Sequence, residues 1–313
     1  MKKIILFFLV VFAFSIEKLH PSKIIKFSYY ISKITFNNQY IIAGLENGKI
    51  EIKNFKSLNL ISTINLPKIH DFMGDLIPMP IYSLDILDNK LLILAQGENA
   101  SRILYIYDLN QNKLSKIFQT PKTLMKAKFI DKNHIIFGYL SDEIALFEIS
   151  SKKWIYDNQI GEYVFSTFAL NPSKTLIALG DESGNVKIAD TKTGKKIKEI
   201  IGVNKDKTIA LSFTKHLILN ASVDKKIGIY NLNGNTKLTL ESKFIPYAAA
   251  ISPNEKTFAY EYDDKNNIMI KNMNNQNLYL LTGHTMTLSD MKFLNNKTLI
   301  SFSPAEIIIW RLK

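Results

Sequence analysis

The sequence predicts an all-β fold made of repeated four-stranded units, and three observations support this. Short apolar segments are separated by turn residues, mostly Gly, Asn, Asp and Pro, at intervals of about 8–12 residues. No segment repeats its apolar residues at the 3.6-residue spacing of a helix. A unit of roughly 40 residues recurs along the chain, which is the length of one β-propeller blade.

The unit is clearest in residues 166–200, "STFALNPSKTLIALGDESGNVKIADTKTGKKIKEI". Its first strand ends at Leu170, and the turns "NPSK", "DESGN" and "TKTGKK" separate three further strands. Gly, Asn, Asp and Pro supply the backbone conformations that tight turns need. This segment therefore predicts one four-stranded antiparallel blade.

Six other units align with this one on the last residue of the first strand. Successive anchor residues lie 38 to 50 positions apart, and the seven anchors are Phe36, Ile86, Phe129, Leu170, Phe213, Ile251 and Phe293. A blade cannot cover both of its faces alone, so blades pack around a ring. Because the units leave no room for another domain, the sequence predicts a single seven-bladed β-propeller over residues 16–313.

The end of the chain predicts how the ring closes. The last unit has only three strands, and "EIIIWRL" (306–312) would leave an open apolar edge, which promotes aggregation. The segment "SKIIKFS" (22–28) belongs to no unit. Since the chain ends meet in a closed ring, we predict that it pairs with 306–312 as the fourth strand of the last blade. The alternative is a disordered N-terminal segment beside a frayed last blade.

Residues 1–15 predict a signal peptide that precedes the domain. "MKKIILFFLVVFAFS" has two lysines, an apolar run from Ile4 to Phe14, and Ala13 and Ser15 at positions −3 and −1. The run is too short to cross a bilayer, which takes about 20 residues. We expect cleavage after Ser15 and a periplasmic protein without stable membrane insertion; a buried N-terminal strand is the alternative. With no cysteine in the chain, we expect neither a lipid anchor nor disulfides.

The formal net charge of +12 comes from lysines that are spread over many turns. This distribution favours a solvated surface, with electrostatic steering of an acidic partner or anionic lipid as the alternative. An exported protein does not routinely meet nucleic acid, so no nucleic-acid partner is expected.

Residues with catalytic or metal-binding chemistry do not form a recognisable motif. The five histidines fall in different units without metal-ligand spacing, and there is no phosphate-binding Gly-rich loop or nucleophile elbow. We therefore expect a protein that is not an enzyme and that holds no metal or cofactor.

The connection "PKIHDFMGDLIPMPIYSLD" (67–85) departs from the repeat and accounts for the longest anchor spacing. It leads from the outer strand of the first blade to the inner strand of the second, on a face where propellers commonly bind partners. Aromatic and Met side chains are enriched in interface cores. The hypothesis is a partner-binding loop that contains His70, Asp71, Phe72, Met73, Asp75, Leu76, Ile77 and Met79. One alternative is a plug over the central channel, and another is a copper site of His70, Met73 and Met79.

The segments "GHTMTLSDMKF", "TLISFS" and "IIIWRL" resemble a WD repeat, and "FALNPSKTLIALGDESGNVKIADTKTGK" is similar to the same consensus. In that family a His, a Ser, a Trp and a turn Asp form a hydrogen-bonded set within one blade. The resemblance implies such a structural set at His284, Ser301 and Trp310. The Asp is missing, because the turn is shortened to "SPAE".

Size, signal, blade pattern and the "HDFMGDLIP" loop together resemble the NapL family, propeller proteins encoded beside periplasmic nitrate reductase in some bacteria. This resemblance implies a non-enzymatic accessory or scaffold role in the maturation, stability or electron supply of that reductase, through protein contacts. The alternatives are a propeller of the outer-membrane assembly type, against which the missing anchor cysteine argues, and a small-molecule or metal-binding propeller.

Overall fold

The computed structural model describes residues 16–313, and the predicted signal peptide lies outside these residues. Within them the chain forms six four-stranded sheets, one five-stranded sheet and one two-stranded hairpin. No helix in this part of the chain is long and apolar enough to cross a bilayer. The predicted all-β, seven-bladed propeller of four-stranded blades is confirmed, with one blade enlarged by an extra strand.

Two short strands precede the first blade, and a short hairpin follows it. In chain order the first group of strands is β1 (Glu17–Leu19), β2 (Lys23–Lys26), β3 (Ile31–Phe36), β4 (Tyr40–Leu45), β5 (Lys49–Asn54), β6 (Leu60–Asn65), β7 (Ile69–His70) and β8 (Leu76–Ile77). The first blade consists of β3 to β6, and β7 pairs with β8 to form the hairpin.

Blades two to four each contain four consecutive antiparallel strands. Blade two is β9 (Ile81–Leu87), β10 (Lys90–Gln96), β11 (Arg102–Asp108) and β12 (Lys113–Thr120). Blade three is β13 (Leu124–Phe129), β14 (His134–Tyr139), β15 (Glu143–Glu148) and β16 (Lys153–Gln159). Blade four is β17 (Phe165–Leu170), β18 (Leu176–Asp181), β19 (Val186–Asp190) and β20 (Lys196–Ile200).

The last three blades complete the ring. Blade five is β21 (Thr208–Phe213), β22 (Leu217–Ser222), β23 (Lys226–Asn231) and β24 (Thr236–Glu241). Blade six contains β25 (Ala249–Ile251), β26 (Thr257–Glu261), β27 (Ile268–Asn272) and β28 (Asn277–Leu281). Blade seven contains β29 (Asp290–Asn295), β30 (Thr298–Phe302) and β31 (Glu306–Arg311).

The seven anchors occupy the same place in every blade. Each pairs with the second residue of the following strand, in the pairs Phe36–Ile41, Ile86–Leu91, Phe129–Ile135, Leu170–Ile177, Phe213–Ile218, Ile251–Phe258 and Phe293–Leu299. The blades thus share one register, although their sequences are diverse.

Apolar side chains fill the spaces between neighbouring blades. The buried side chains form seven clusters in the described residues, and each cluster joins two adjacent blades. The middle strands are covered on both faces, so they read as continuous apolar runs such as "IIFG" in β14. The ring is therefore held by blade-to-blade burial, and the stability of each blade depends on both neighbours.

The N-terminal strand closes the ring as predicted. β2 lies antiparallel to β31, with Lys23 opposite Ile309 and Ile25 opposite Ile307. Ile25 is buried in the cluster between blades seven and one. The strand spans Lys23–Lys26, which is shorter than the predicted 22–28.

A second N-terminal strand was not expected from the sequence. β1 pairs in parallel with β28, so blade six has five strands. Leu19 packs partly buried against the cluster between blades six and seven, and Glu17 forms an ion pair with Lys313. The N-terminal segment therefore covers the outer edges of two neighbouring blades.

Candidate functional site

The connection between blades one and two contains an ordered hairpin. Ile69 pairs with Ile77 and His70 with Leu76. In the turn, the Asp71 carboxylate accepts hydrogen bonds from the backbone N–H groups of Met73 and Asp75, both at 2.9 Å. The Asp71 side chain thus holds the turn. Because β9 begins at Ile81, the connection ends earlier than the predicted residue 85.

The tip of the hairpin exposes apolar side chains. Phe72 is 95 % exposed, Met73 73 % and Leu76 55 %. Its base is apolar too, but Ile69 and Met79 are buried in the cluster between blades one and two. The base of the hairpin therefore packs in the core, whereas three apolar side chains at its tip are exposed to solvent. A plug over the channel would bury these side chains, so the exposure argues against that alternative.

Polar contacts tie the hairpin to blade two. The His70 Nδ1 lies 2.9 Å from Glu98 Oε1, and the His70 backbone N–H donates to the same oxygen at 3.3 Å. These hydrogen bonds hold the pKa of Glu98 below its usual range. Glu98, in the turn after β10, was not singled out from the sequence, since nothing in its local pattern indicates a partner 28 residues away.

The copper alternative does not fit this arrangement. Met79 is buried in the apolar core at the base, whereas Met73 lies at the exposed tip. In residues 16–313, moreover, no three His, Cys, Asp or Glu side chains are grouped to hold a metal ion. Of the predicted loop residues, Phe72, Met73 and Leu76 form the exposed tip. His70, Asp71 and Met79 shape and anchor the hairpin.

The residues that match the WD set lie together in blade seven. The ring of His284 contacts Ser301 Oγ through Nε2 at 2.7 Å and Glu306 Oε1 through Nδ1 at 3.1 Å. The Trp310 indole N–H donates to Ser301 Oγ at 2.8 Å. All donors and acceptors are satisfied when His284 is neutral, donates from Nδ1 and accepts at Nε2.

Glu306 supplies the carboxylate that the sequence pattern lacked. It ends the short turn "SPAE", and its longer side chain reaches His284 where the family uses an Asp. Burial raises the pKa of Glu306, but hydrogen bonds from His284, Thr285 and Ser303 outweigh it and lower the pKa to about 2. His284, Ser301, Glu306 and Trp310 are all buried within blade seven, so the set is closed to solvent.

A group of charged side chains lies on the first strands of the blades, next to the ring axis. β9 contacts both β3 and β13, and β21 contacts both β17 and β25, so these strands surround the central channel. They carry four lysines and two aspartates, namely Lys33, Asp85, Lys126, Lys128, Asp290 and Lys292. Lys33 and Lys292 are exposed and Lys126 and Lys128 are partly buried, so these lysines line the channel side of the first strands.

No protein-family model matches the chain, and no curated protein matches its sequence. Among solved structures it is similar to the β-propeller domain of Cps50 (Swd1) from Myceliophteria thermophila. The TM-score is 0.74 at 15% identity, over 93% of this chain and 99% of that domain. At this identity the likeness shows the fold alone. The chain is thus a seven-bladed β-propeller.

Proposed function

We propose that the protein is a non-enzymatic accessory or scaffold propeller that binds another protein through the β7–β8 hairpin. The observation that carries this proposal is the exposed apolar tip of Phe72, Met73 and Leu76 on a hairpin with an anchored base. Aromatic and Met side chains are enriched in interface cores. A turn that is already ordered loses little conformational entropy on binding, which favours affinity.

The proposed partner is a component of periplasmic nitrate reductase. The support is the resemblance of size, signal, blade pattern and the "HDFMGDLIP" loop to the NapL family. The exposed apolar tip of the hairpin, Phe72, Met73 and Leu76, falls within that loop. In this role the propeller supports maturation, stability or electron supply of the reductase from the periplasm.

The proposed periplasmic location can be tested by determining where the mature chain begins. We expect the exported protein to begin at Ile16, since cleavage after Ser15 leaves β1, which starts at Glu17, intact. Intact mass of the protein from a periplasmic fraction measures this. A full-length species in the inner membrane would contradict both the cleavage and the location.

The partner-binding hairpin is tested by the double variant Phe72→Ala/Met73→Ala. Interface anchors of this kind commonly cost at least about 2 kcal/mol each when truncated. We therefore expect binding to purified periplasmic nitrate reductase to weaken more than tenfold, because about 1.4 kcal/mol is a factor of ten. The melting temperature should not change, since both side chains are exposed. Biolayer interferometry and a thermal melt provide the two measurements.

The control is Ile201→Ala, which removes an apolar side chain that is 74 % exposed in the connection after β20. It should leave binding unchanged. If the double variant melts earlier but binds normally per folded molecule, the hairpin is structural and not an interface. If the wild-type protein binds no reductase component and a deletion strain reduces nitrate normally, the proposed partner is wrong.

A further inference from the structure

The first strands of all seven blades share a polar or small register. The positions three and one before each anchor hold Lys33 and Thr35, Ser83 and Asp85, Lys126 and Lys128, Thr167 and Ala169, Ala210 and Ser212, Ala248 and Ala250, Asp290 and Lys292. The position between them holds a non-polar residue in every blade. Successive strand residues point to opposite sides, so the polar register lies on one side of each first strand.

Contacts between blades show where the lysines of this register point. Lys126 in blade three donates to Thr167 Oγ1 and to the carbonyl of Phe168 in blade four, both at 2.8 Å. Lys128 donates in the other direction, to Asp85 Oδ1 in blade two at 3.0 Å. Two lysines of one strand thus reach the two neighbouring blades. Side chains on the channel side of a first strand can do this, because both neighbours lie within their reach there.

Charged side chains of two other blades act on Lys126. Burial lowers the pKa of Lys126 to about 8; Lys128, Lys33 and Lys292 act in the same direction, and Asp290 opposes them. Lys33 belongs to blade one, two blades from blade three, and Lys292 belongs to blade seven, three blades away. Lys33, Lys126 and Lys292 thus occupy the first strands of three blades, in the register that lies beside the ring axis.

Two of these lysines have ammonium groups without a hydrogen-bond partner in residues 16–313. Neither the Lys33 nor the Lys292 ammonium group donates a hydrogen bond to any residue from 16 to 313, although Lys292 Nζ lies 5.9 Å from the centre of the Phe36 ring. Both side chains are exposed to solvent, and the protein atoms around them lower the pKa of each. The two ammonium groups therefore lie where a dissolved ion can reach them.

We propose that the central channel binds a small multivalent oxyanion of the phosphate or sulfate type, held by Lys33, Lys126 and Lys292. Like charges enclosed at short range repel one another, and an anion between them removes this repulsion. An ammonium group offers three donors, which suits the several acceptor oxygens of such an anion. Asp85 and Asp290 occupy part of the lining, so the site favours a compact anion over a long polyanion.

The test measures binding of inorganic phosphate, and separately of sulfate, to the protein comprising residues 16–313. Ionic strength is held constant with chloride, because charge effects depend on salt. We expect saturable binding by calorimetry and a higher melting temperature with either anion. The double variant Lys33→Gln/Lys292→Gln should bind at least tenfold more weakly. It should fold, since neither side chain makes a hydrogen bond within residues 16–313.

The matched control is Lys113→Gln/Lys237→Gln, which removes the same charge from two exposed lysines on the outer strands β12 and β24. It should bind both anions as the wild type does, and Lys292→Arg should retain binding because it keeps the charge. Equal loss in the channel and control variants, or no saturable binding by the wild type, would overturn the proposal.

A pH series with sulfate adds a second readout, because sulfate keeps its charge over the range. The Lys126 ammonium faces Lys128 on its own strand, Lys33 on β3, and Lys292 and Asp290 on β29. As pH rises through about 8, Lys126 loses its proton, so sulfate affinity should fall there. Affinity that stays constant until pH reaches the ordinary lysine range would remove Lys126 from the site.

Discussion

Deleting residues 22–28 is expected to lower the free energy of unfolding by several kcal/mol and to cause aggregation on heating. The deletion removes β2, which covers the apolar edge of β31, and an uncovered edge pairs readily with other chains. It also removes Ile25 from the cluster that joins blades seven and one. Denaturant and thermal melts with light scattering, on the protein that begins at Ile16 with and without the segment, measure both effects.

Two point variants in β2 test whether the stabilising effect of this segment comes from its buried side chain. Ile25 is 4% exposed, whereas its neighbour Ile24 is 49 % exposed. We expect Ile25→Ala to cost about 2–4 kcal/mol and Ile24→Ala less than about 1 kcal/mol. Hydrogen exchange should show that blade seven opens first in Ile25→Ala. Equal and small effects of the two variants would mean that β2 does not hold the ring closed.

Much of this fold can be predicted from the sequence, because each blade is specified by residues that are close together in the chain. The second and third strands of each blade are covered on both faces, which produces apolar runs between turn residues at a constant period. Ring closure follows from counting strands. The last unit has only three strands, and the segment 22–28 belongs to no unit. β1 was not predictable in this way. It has three residues, "EKL", and its pairing with β28 depends on where the ring brings the chain ends.

The candidate site can be predicted from the sequence only in part. Composition identifies the loop between blades one and two as apolar, but it does not distinguish Met73, which is exposed, from Met79, which is buried. The hairpin register makes that distinction, and it is set by pairs such as His70–Leu76. The channel lysines are of the same type as the surface lysines. Their position relative to the anchors is the signal that separates them.

Blades three and four are joined by a buried group of three charges. Lys187 Nζ lies 3.1 Å from Asp142 Oδ2 and is paired with the carboxylate of Asp181. All three side chains are at most 2% exposed. Gly161 allows this packing, because a Cβ there would come within 2.8 Å of Lys187 Nζ. Burial raises the pKa of Asp142, and the Lys187 charge opposes this rise.

Replacing this lysine, in Lys187→Met, is expected to lower the free energy of unfolding at neutral pH by about 3–5 kcal/mol. Removing one partner from a buried ion pair leaves an uncompensated charge, and here it leaves two carboxylates. In the variant, burial without the opposing Lys187 charge raises the folded-state pKa of Asp142 above the unfolded value. The loss is then full above the raised pKa and recovers as pH falls through it, because the folded state takes up protons. Urea melts of the wild type and variant across pH measure this.

The matched control removes the carboxylates together with the lysine, in Lys187→Met/Asp142→Asn/Asp181→Asn. With no charge left in the group, we expect most of the lost stability to return and the added pH dependence to disappear. Asp142→Asn alone should cost less than Lys187→Met, since Asp181 still pairs with the lysine. If Lys187→Met instead unfolds within about 1 kcal/mol of the wild type at every pH, the three groups do not form a charged network.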